Sequence, residues 1–441
     1  MALPADFISR TKPLLGDEWD AFEQALHEKS PVSIRLNPMK ILPEDCLLSL
    51  VPTEKVPWAS DAYYLASRPL FTLDPLFHAG CYYVQEASSM YLETILKKHV
   101  SEKANVLDLC AAPGGKSTLL ASALPAGSLL VANEVIRSRA HILAENITKW
   151  GNPYTIVSNN DPSAFGQIPA FFDVLVTDVP CSGEGMFRKD PNAMQEWSIQ
   201  QVKLCAERQK RILADCWPTL KSGGILIYST CTYNREENEE NLQWICEELG
   251  AEIIEEPRRF LPHQTKGEGF FIAVLRKSET ESTTINSRTK KLQTANKQSV
   301  KIPQELKQLL VSKDDFSFFL EKNTFIAFPL SLEPDYLYLK NRLKILSAGI
   351  FLGELKGKDF IPDHALAMSS NLSPSTFPAL EVDKPTAIRY LQKEALAAPP
   401  SEFPLGIALA TYQQVPLGFI KNIGNRINNL YPQEWRIRNR F

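Results

Sequence analysis

Long apolar runs are missing from this 441-residue sequence. The longest of them, such as residues 171–176, are far shorter than the roughly 20 residues that a helix needs to cross a bilayer. The first residues also lack the basic-then-apolar pattern of a secretory signal peptide. We therefore expect no contact with a membrane and a cytoplasmic location.

Cysteine, histidine and net basic charge are also scarce. The 8 cysteines include no Cys-x-x-Cys pair, and the 6 histidines show no metal-ligand spacing, so we expect reduced thiols and no bound metal. The net charge of -3 excludes a wholly basic coat for nucleic acid. Basic residues cluster only locally. The last 21 residues carry one such cluster, in which a single acid, Glu434, accompanies Lys421, Arg426, Arg436, Arg438 and Arg440. This cluster is either a solvated face or a phosphate-binding surface.

The middle of the chain alternates short β-rich runs with helical patterns, which is typical of a mostly parallel sheet flanked by helices. This predicts a helix over 198–217, with Ser198 and Gln201 as its capping box. The expected strands are residues 106–109, 128–134, 154–160, 172–178, 225–229 and 270–275. The proline-rich start of the chain predicts a separate module, and the polar stretch 278–299 predicts a linker before further small mixed domains.

The loop after the first of these strands, residues 108–117, has the position of a nucleotide-binding loop. A P-loop needs glycine where Cys110 stands, and a dinucleotide loop needs spaced glycines where Gly114 and Gly115 are adjacent. Acids end three successive strands, at Asp108, Glu134 and Asp161. Such acids suit the cationic S-adenosylmethionine, although a single strand-end acid is equally typical of a helix cap or turn.

Cys181 and Cys231 directly follow the fourth and fifth strands, where open α/β sheets bind their ligands. Carbon 5 of cytosine is too weak a nucleophile to take a methyl group unless a thiolate first adds to carbon 6. A base must then remove the carbon 5 proton before the thiolate leaves, so a second thiol nearby is useful. We expect Asn234 to cap a helix whose dipole favours the Cys231 thiolate, opposed by Glu236 and Glu237. Burial as small apolar side chains is expected for Cys46, Cys81, Cys205, Cys216 and Cys246.

These segments together resemble the NOL1/NOP2/Sun family of RNA cytosine carbon-5 methyltransferases, from about residue 80 to 277. The resemblance implies a Rossmann-like, S-adenosylmethionine-dependent methyltransferase fold, with Cys231 as nucleophile, Cys181 assisting product release and Asp178 close to the target base. It also implies a cofactor site lined by Cys110, Ala111, Ala112, Pro113, Gly114, Gly115, Lys116, Glu134, Asp161 and Asp178.

Outside the catalytic segment, residues 33–38 resemble the family's N-terminal RNA-contacting module. Residues 350–356, 362–367 and 416–421 resemble a bacterial branch with a small intermediate domain and a PUA-like RNA-binding domain, whose substrate is 16S ribosomal RNA. The implied order is an N-terminal module (1–80), a methyltransferase domain (81–277), a linker (278–300), an intermediate domain (301–377) and a PUA-like domain (378–441).

RNA recognition would unstack the target base while basic groups hold the RNA backbone. Arg188 and Lys189, beside the Cys181 loop, are candidates for phosphate contact, unless they are merely solvated.

The alternative functions are a tRNA cytosine carbon-5 methyltransferase and an inactive ribosome-assembly factor of the same fold. Intact cysteines and cofactor loop disfavour the inactive factor. A DNA cytosine methyltransferase is expected to have Pro-Cys-Gln, whereas this chain has Pro180-Cys181-Ser182.

Overall fold

The computed structural model of the chain describes residues 3–40, 43–279, 302–357 and 359–438. The segment expected to form the linker therefore lies almost wholly outside the described residues. Among the described helices, none combines the length and the apolar character that crossing a bilayer requires.

The N-terminal part forms a small antiparallel sheet with short helices around it. The sheet has the order β2-β3-β1-β4, and β1 is hydrogen-bonded to β3 on one side and β4 on the other. The strands are β1 (Val32–Leu36), β2 (Pro52–Lys55), β3 (Ala62–Leu65) and β4 (Tyr82–Val84). The helices are α1 (Ala5–Leu15), α2 (Trp19–His27), α3 (Glu44–Ser49) and α4 (Pro75–His78).

The central part is the predicted α/β unit. Its strands are β5 (Asn105–Asp108), β6 (Leu129–Asn133), β7 (Thr155–Ser158), β8 (Phe172–Asp178), β9 (Leu220–Thr230), β10 (Ala251–Phe260) and β11 (Phe270–Lys277). Its helices are α5 (Leu92–His99), α6 (Gly115–Ala123), α7 (Arg137–Trp150), α8 (Pro191–Glu196), α9 (Ile199–Cys216) and α10 (Glu239–Leu249). Strands β5 to β9 pair in parallel, which confirms the expected fold class.

The C-terminal part carries two further sheets, in the orders β12-β13-β15-β16 and β17-β18-β19-β20. Its strands are β12 (Phe316–Glu321), β13 (Thr324–Pro329), β14 (Ile345–Ala348), β15 (Ile350–Lys356), β16 (Asp359–Pro362), β17 (Ala379–Glu381), β18 (Gly406–Tyr412), β19 (Val415–Asn422) and β20 (Ile427–Asn429). Its helices are α11 (Gln304–Lys307), α12 (Glu333–Lys340), α13 (His364–Met368) and α14 (Lys384–Leu391).

The central sheet has the order β10-β11-β9-β8-β5-β6-β7-β14. The connections reverse direction between β8 and β5, so the ligand crevice of this fold is expected at the carboxyl ends of these two strands. The sheet is covered on both faces, because neighbouring residues of β5 enter different cores: Val106 packs into one cluster and Leu107 into the other. Burial on both faces explains the near-continuous apolar strands of the sequence.

Both end strands of this sheet are absent from the sequence prediction. Half of the residues of β10 are charged, and Pro257 lies at an irregular step of its pairing with β11. Proline is tolerated in a sheet only at an edge or a bulge. β14 comes from the C-terminal region and pairs antiparallel with β7. The region after residue 302 therefore contributes a strand to the central sheet as well as forming its own sheets.

The helix predicted over 198–217 is present as α9. The Ser198 hydroxyl oxygen accepts a hydrogen bond from the Gln201 backbone N–H at 3.1 Å, as a capping box requires. The Gln201 side chain, however, donates to the Cys205 sulfur at 3.7 Å instead of returning to the cap. Only half of the predicted capping box forms.

The position of β14 generates a stability prediction. Ala348 in β14 is 2% exposed and belongs to the central core, so Ala348→Asp would place an unpaired carboxylate there. We expect the melting temperature of the main calorimetric transition to fall by about 6 °C or more. The control Leu355→Asp, at a side chain 45% exposed in β15, should shift it by about 1 °C or less. Equal melting temperatures for the two variants would contradict the placement of β14 in the central core.

Candidate active site

The carboxyl ends of the parallel strands bring the predicted site residues to one edge of the sheet. The cofactor-type loop follows β5, Glu134 follows β6, Asp161 follows β7, and Asp178 ends β8. The two cysteines lie in the loops after β8 and β9. The site is thus built by five successive connections, as expected at the crevice of an open α/β sheet.

One glycine of the loop, Gly114, has a steric reason. Gly114 has φ 117°, a left-handed conformation that side chains disfavour, and directly precedes α6. Gly115 lies against the N-terminal module, where a Cβ would make an ordinary contact with the Tyr83 ring at 3.4 Å. The loop's backbone is further held by α7, where Arg139 donates to the Ala112 carbonyl and Asn146 to the Pro113 carbonyl, each at 2.8 Å. The loop is therefore a tight, fixed turn at the start of a helix.

Asp108 is the acid best suited to a cationic ligand. One of its oxygens accepts from the Ser117 hydroxyl at 2.6 Å, while the other is buried without a hydrogen-bond partner among the described residues. Burial, with smaller contributions from Asp178 and Glu134, raises the pKa of Asp108 to about 7. A buried acceptor that lacks a donor fits the ammonium or sulfonium group of S-adenosylmethionine, because either cation would favour the charged carboxylate.

Glu134 and Asp161 both accept hydrogen bonds from nearby backbone N–H groups, as acids that cap a helix or form a turn do. Glu134 is 3% exposed, and one oxygen accepts from the Ile136 N–H at 2.9 Å. Asp161 caps the short helical turn after β7 by accepting from the N–H and hydroxyl of Ser163, and these bonds hold the pKa of Asp161 below its usual value. Both acids therefore have a local structural role as well as their position at the crevice.

Lys116 and Asp178 join the cofactor loop to the end of β8. Their charged atoms are 2.8 Å apart, and the Ser229 hydroxyl donates to the other Asp178 oxygen at 3.0 Å. Burial opposes the charge of Lys116, but the attraction of Asp178 prevails and raises the pKa of Lys116. Lys116 is thus a fixed cation, and Asp178, 36% exposed in its side chain, is held on one side by it.

The two predicted cysteines are in direct contact. The sulfur atoms of Cys181 and Cys231 are 3.1 Å apart, and the Cys231 N–H donates to the Cys181 sulfur at 3.4 Å. The hydrogen bond with Cys231, together with burial, raises the pKa of Cys181 well above that of a free thiol. Burial is the largest cause of the raised pKa of the Cys110 thiol, and the negative charges of the surrounding acids raise it further.

The predicted helix cap was wrong. α10 begins at Glu239, eight positions after Cys231, with Asn238 at its cap, and Asn234 forms a turn by accepting from the Glu237 N–H at 2.9 Å. The start of α10 still lies beside the Cys231 loop, because Asn238 accepts from the Thr230 hydroxyl at 2.6 Å and donates to the Thr232 carbonyl at 3.1 Å. Arg188 fits neither of the two alternatives left open for it, phosphate contact or solvation, because its side chain is 4% exposed and pairs with Glu268 at 2.9 Å.

Two buried carboxylates, Glu184 and Glu237, hold the cysteine loops, a role that the sequence did not predict for either of them. Glu184, 1% exposed, accepts from the backbone N–H groups of Tyr233 and Asn234 at 2.7 and 3.0 Å, and from the hydroxyl of Thr232 at 2.6 Å. Glu237, fully buried, accepts from the Ser182 N–H at 3.0 Å. Each carboxylate thus joins the loop after β8 to the loop after β9. An acid between two glycines, as at Glu184, was the available signal.

Metal ligation finds no support at this edge of the sheet. Within the described ranges, no group of three or more histidine, cysteine or acidic side chains is arranged to hold a metal ion. The chemistry of the site is instead that of two thiols beside buried carboxylates and one fixed lysine.

Family models match most of the chain. The model described as 16S rRNA methyltransferase RsmB/F matches residues 93–276, and the N-terminal domain of 16S rRNA methyltransferase RsmF matches 3–87. The RsmF first C-terminal domain matches 318–369, and the methyltransferase RsmF PUA domain matches 377–437.

Individual proteins agree with these matches. The ribosomal RNA small subunit methyltransferase F of Vibrio cholerae is 32% identical over 467 residues, covering 98% of each chain. A methyltransferase homolog from Pyrococcus horikoshii is 29% identical with a TM-score of 0.54, covering 62% of this chain and 94% of that one. NSun6 from the same organism, solved with SFG, shares the fold at 21% identity and a TM-score of 0.54, covering 63% of this chain and 99% of that one.

The contacts of Glu184 generate a prediction. One Glu184 oxygen accepts from the Trp197 ring N–H, and the other accepts from two backbone N–H groups. In Glu184→Gln, the amide NH₂ would replace one of these oxygens in either orientation of the side chain, so buried N–H groups would lose their acceptor. We expect a destabilisation of about 3 kcal/mol, seen as a fall of roughly 6 °C or more in melting temperature. The surface variant Glu207→Gln, at a side chain 73% exposed, should melt within about 1 °C of the parent. A Glu184→Gln protein as stable as this control would show that the carboxylate does not hold the loops.

Proposed function

The chain belongs to the RsmB/F family of 16S rRNA methyltransferases, and we propose that it methylates carbon 5 of a cytosine in 16S ribosomal RNA through a covalent cysteine adduct. The observation that carries this proposal is the thiol pair, Cys181 and Cys231, in contact at 3.1 Å beside a cofactor-type loop. Ribosomal RNA as substrate also implies the small subunit as partner and the cytoplasm as compartment.

The cofactor site consists of the loop after β5 and the acids around it. The residues that would hold S-adenosylmethionine are Cys110, Ala111, Ala112, Pro113, Gly114, Gly115, Lys116, Glu134, Asp161 and Asp178. Asp108 ends the strand before this loop, and its buried oxygen without a partner among the described residues would add an acceptor for a cation. When bound, S-adenosylmethionine supplies an electrophilic methyl group.

Cys231 would be the nucleophile. Its thiolate would add to carbon 6 of the cytosine, forming a carbon–sulfur bond and moving an electron pair to carbon 5. Carbon 5 would then take the methyl group as the methyl–sulfur bond of the cofactor breaks and that bond's electron pair stays on the cofactor's sulfur. A base removes the carbon 5 proton, and the electron pair of that C–H bond re-forms the ring double bond as the carbon–sulfur bond breaks. The thiolate of Cys231 is thereby regenerated.

Cys181 and Asp178 would assist from either side. Cys181 holds its proton and lies 3.1 Å from the sulfur that must leave, so it is placed to help release the methylated base. Asp178 is oriented by Lys116 and Ser229 and keeps part of its side chain accessible, which suits contact with the target base.

The cysteine roles generate the decisive prediction. Cys231→Ser should abolish methyl transfer, because serine is too weak a nucleophile at neutral pH. Cys181→Ser should still attack but release slowly, so a denaturant-resistant adduct with labelled RNA should accumulate on a gel in the presence of cofactor. Cys216→Ser, at a buried cysteine of α9, is the control and should behave like the parent. An adduct that persists only when Cys231 is replaced would exchange the two roles.

RNA binding by the C-terminal module is proposed from its basic residues. Arg426 and Arg438 are exposed, whereas Lys421 pairs with Asp359 at 3.1 Å and Arg436 donates to the Gln433 carbonyl at 2.7 Å. Arg440 lies outside the described residues. The two exposed arginines are therefore the first candidates for phosphate contact.

A charge-removal experiment tests that proposal. The double variant Arg426→Ala and Arg438→Ala should weaken RNA binding and reduce the slope of log K against log salt by about 2, roughly one unit for each phosphate that is no longer neutralised. Lys221→Ala is the control, because Lys221 pairs with Asp173 near the opposite ends of the parallel strands. A slope unchanged from that of the parent would remove these arginines from the RNA interface.

A further inference from the structure

The segment of the N-terminal module that resembles an RNA-contacting motif is buried against the methyltransferase domain. Arg35 at 3% and Asn37 at 1% exposure have almost no surface for a nucleic acid. Arg35, Asn37 and the next basic residue, Lys40, all direct their polar atoms toward the catalytic domain or the turn beside it. The side chains that a sequence comparison would assign to RNA are therefore already engaged within the protein.

Arg35 reaches the cofactor loop itself. One of its terminal nitrogens donates to the Thr118 hydroxyl at 2.6 Å and to the Gly115 carbonyl at 3.2 Å. Its Nε donates to the Gln85 side-chain oxygen at 3.0 Å, and its guanidinium lies 4.6 Å from the centre of the Trp150 ring. None of these four partners is a carboxylate.

That arrangement is costly, and its cost indicates a role. Burial lowers the pKa of Arg35 to about 9, and one terminal nitrogen is buried without a hydrogen-bond partner in the described part of the chain. A buried guanidinium served by neutral acceptors contributes little to stability beyond what an apolar side chain of similar size would give. Its distinctive effect is geometric, because several donors diverge from one rigid plane.

The atoms that Arg35 fixes belong to the first turn of α6. The Thr118 hydroxyl also donates to the Gly114 carbonyl at 2.8 Å, so the contact continues into the glycine turn. Ser117, one residue earlier, donates to Asp108. Two glycines leave this turn free to adopt many conformations in isolation, and Arg35 restricts it from the side of the N-terminal module.

Asn37 and Lys40 hold different structure. Asn37 donates to the carbonyls of Gly80 and Trp150, each at 2.9 Å. Lys40 donates to the carbonyls of Ala79 and Lys149 at 2.6 and 2.5 Å. These contacts end on the carboxyl end of α7 and on the turn before β4, and do not include the cofactor loop.

We propose that Arg35 is a positioning residue for the cofactor, which holds the first turn of α6 through Gly115 and Thr118 and thereby sets the affinity for S-adenosylmethionine. The N-terminal module is then part of the cofactor site. This inference rests on the proposed cofactor site at residues 110–116. A turn that is fixed before binding loses less conformational entropy when the ligand arrives, so affinity falls when the restraint is removed.

The test is calorimetric titration of the full chain with S-adenosylmethionine. Arg35→Gln should raise the dissociation constant about tenfold, the effect of losing one charge-assisted hydrogen bond. Lys40→Met is the matched control, because it removes hydrogen bonds from the same module to carbonyls outside the cofactor loop. It should lower the melting temperature, yet leave the dissociation constant for S-adenosylmethionine within about twofold of that of the parent. In methylation assays, Arg35→Gln should raise KM for the cofactor while kcat and the dissociation constant for RNA stay near parental values.

Arg35→Lys covers the case in which Arg35→Gln fails to fold. It keeps the positive charge and can satisfy only some of the acceptors, so we expect a dissociation constant about threefold above that of the parent. Cofactor affinities that match the Lys40→Met control would overturn the inference, as would weakened RNA binding with unchanged cofactor binding. If the parent chain itself did not bind S-adenosylmethionine, the proposed function would fail first, and this outcome is distinct from the others.

Discussion

The contact between Cys181 and Cys231 depends on the loops that follow β8 and β9. The ladder between these two strands ends at Asp178 and Ser229, so it does not hold the loops together. Both loops leave parallel neighbours, β8 and β9, and their backbone N–H groups would be unpaired if the loops separated. Glu184 and Glu237 supply the missing acceptors from within the interface. Burying two carboxylates is favourable only because each receives several donors, so the arrangement is specific: a shift of either loop would leave charge unsatisfied.

The same low-dielectric edge gives the neighbouring groups their properties. A carboxylate that is shielded from water attracts a cation more strongly than a solvated one. Asp108, at the cofactor-type loop, is buried in this way. Lys116 is the fixed positive charge between that loop and β8, and it limits the repulsion between Asp108 and Asp178. The thiol pair lies close to Asp178, whose negative charge adds to the raised pKa of Cys181. The cofactor-type loop and the thiol pair are therefore linked electrostatically through Lys116 and Asp178 at adjacent strand ends.

The sequence was sufficient for the parallel strands and for bringing the acids and cysteines to one edge, because strand positions and strand ends follow from local apolar patterns. The order of the strands in the sheet is set by pairing between distant segments, and it was not predicted. It failed where distant segments meet. β14 is only four residues long and becomes a strand by pairing with β7. Arg188 and Arg35 have the charge expected of an RNA contact, but Glu268 and the start of α6 occupy them. A charge pattern indicates which residues can bind an anion, and only tertiary contacts show which are already engaged.

Contacts between the ends of the chain have a consequence for substrate selection. Tyr390 and Ile420 of the C-terminal module pack in one core with Ile34 and Tyr82 of the N-terminal module. The C-terminal region is also attached to the central sheet through β14. An RNA held by the C-terminal surface would thus lie at a set distance and orientation from Cys231, fixed by packed cores and not by a linker. The base that reaches the thiol would then be determined by the geometry of the RNA between the C-terminal surface and Cys231. Such a selection suits a folded ribosomal RNA better than a short single strand.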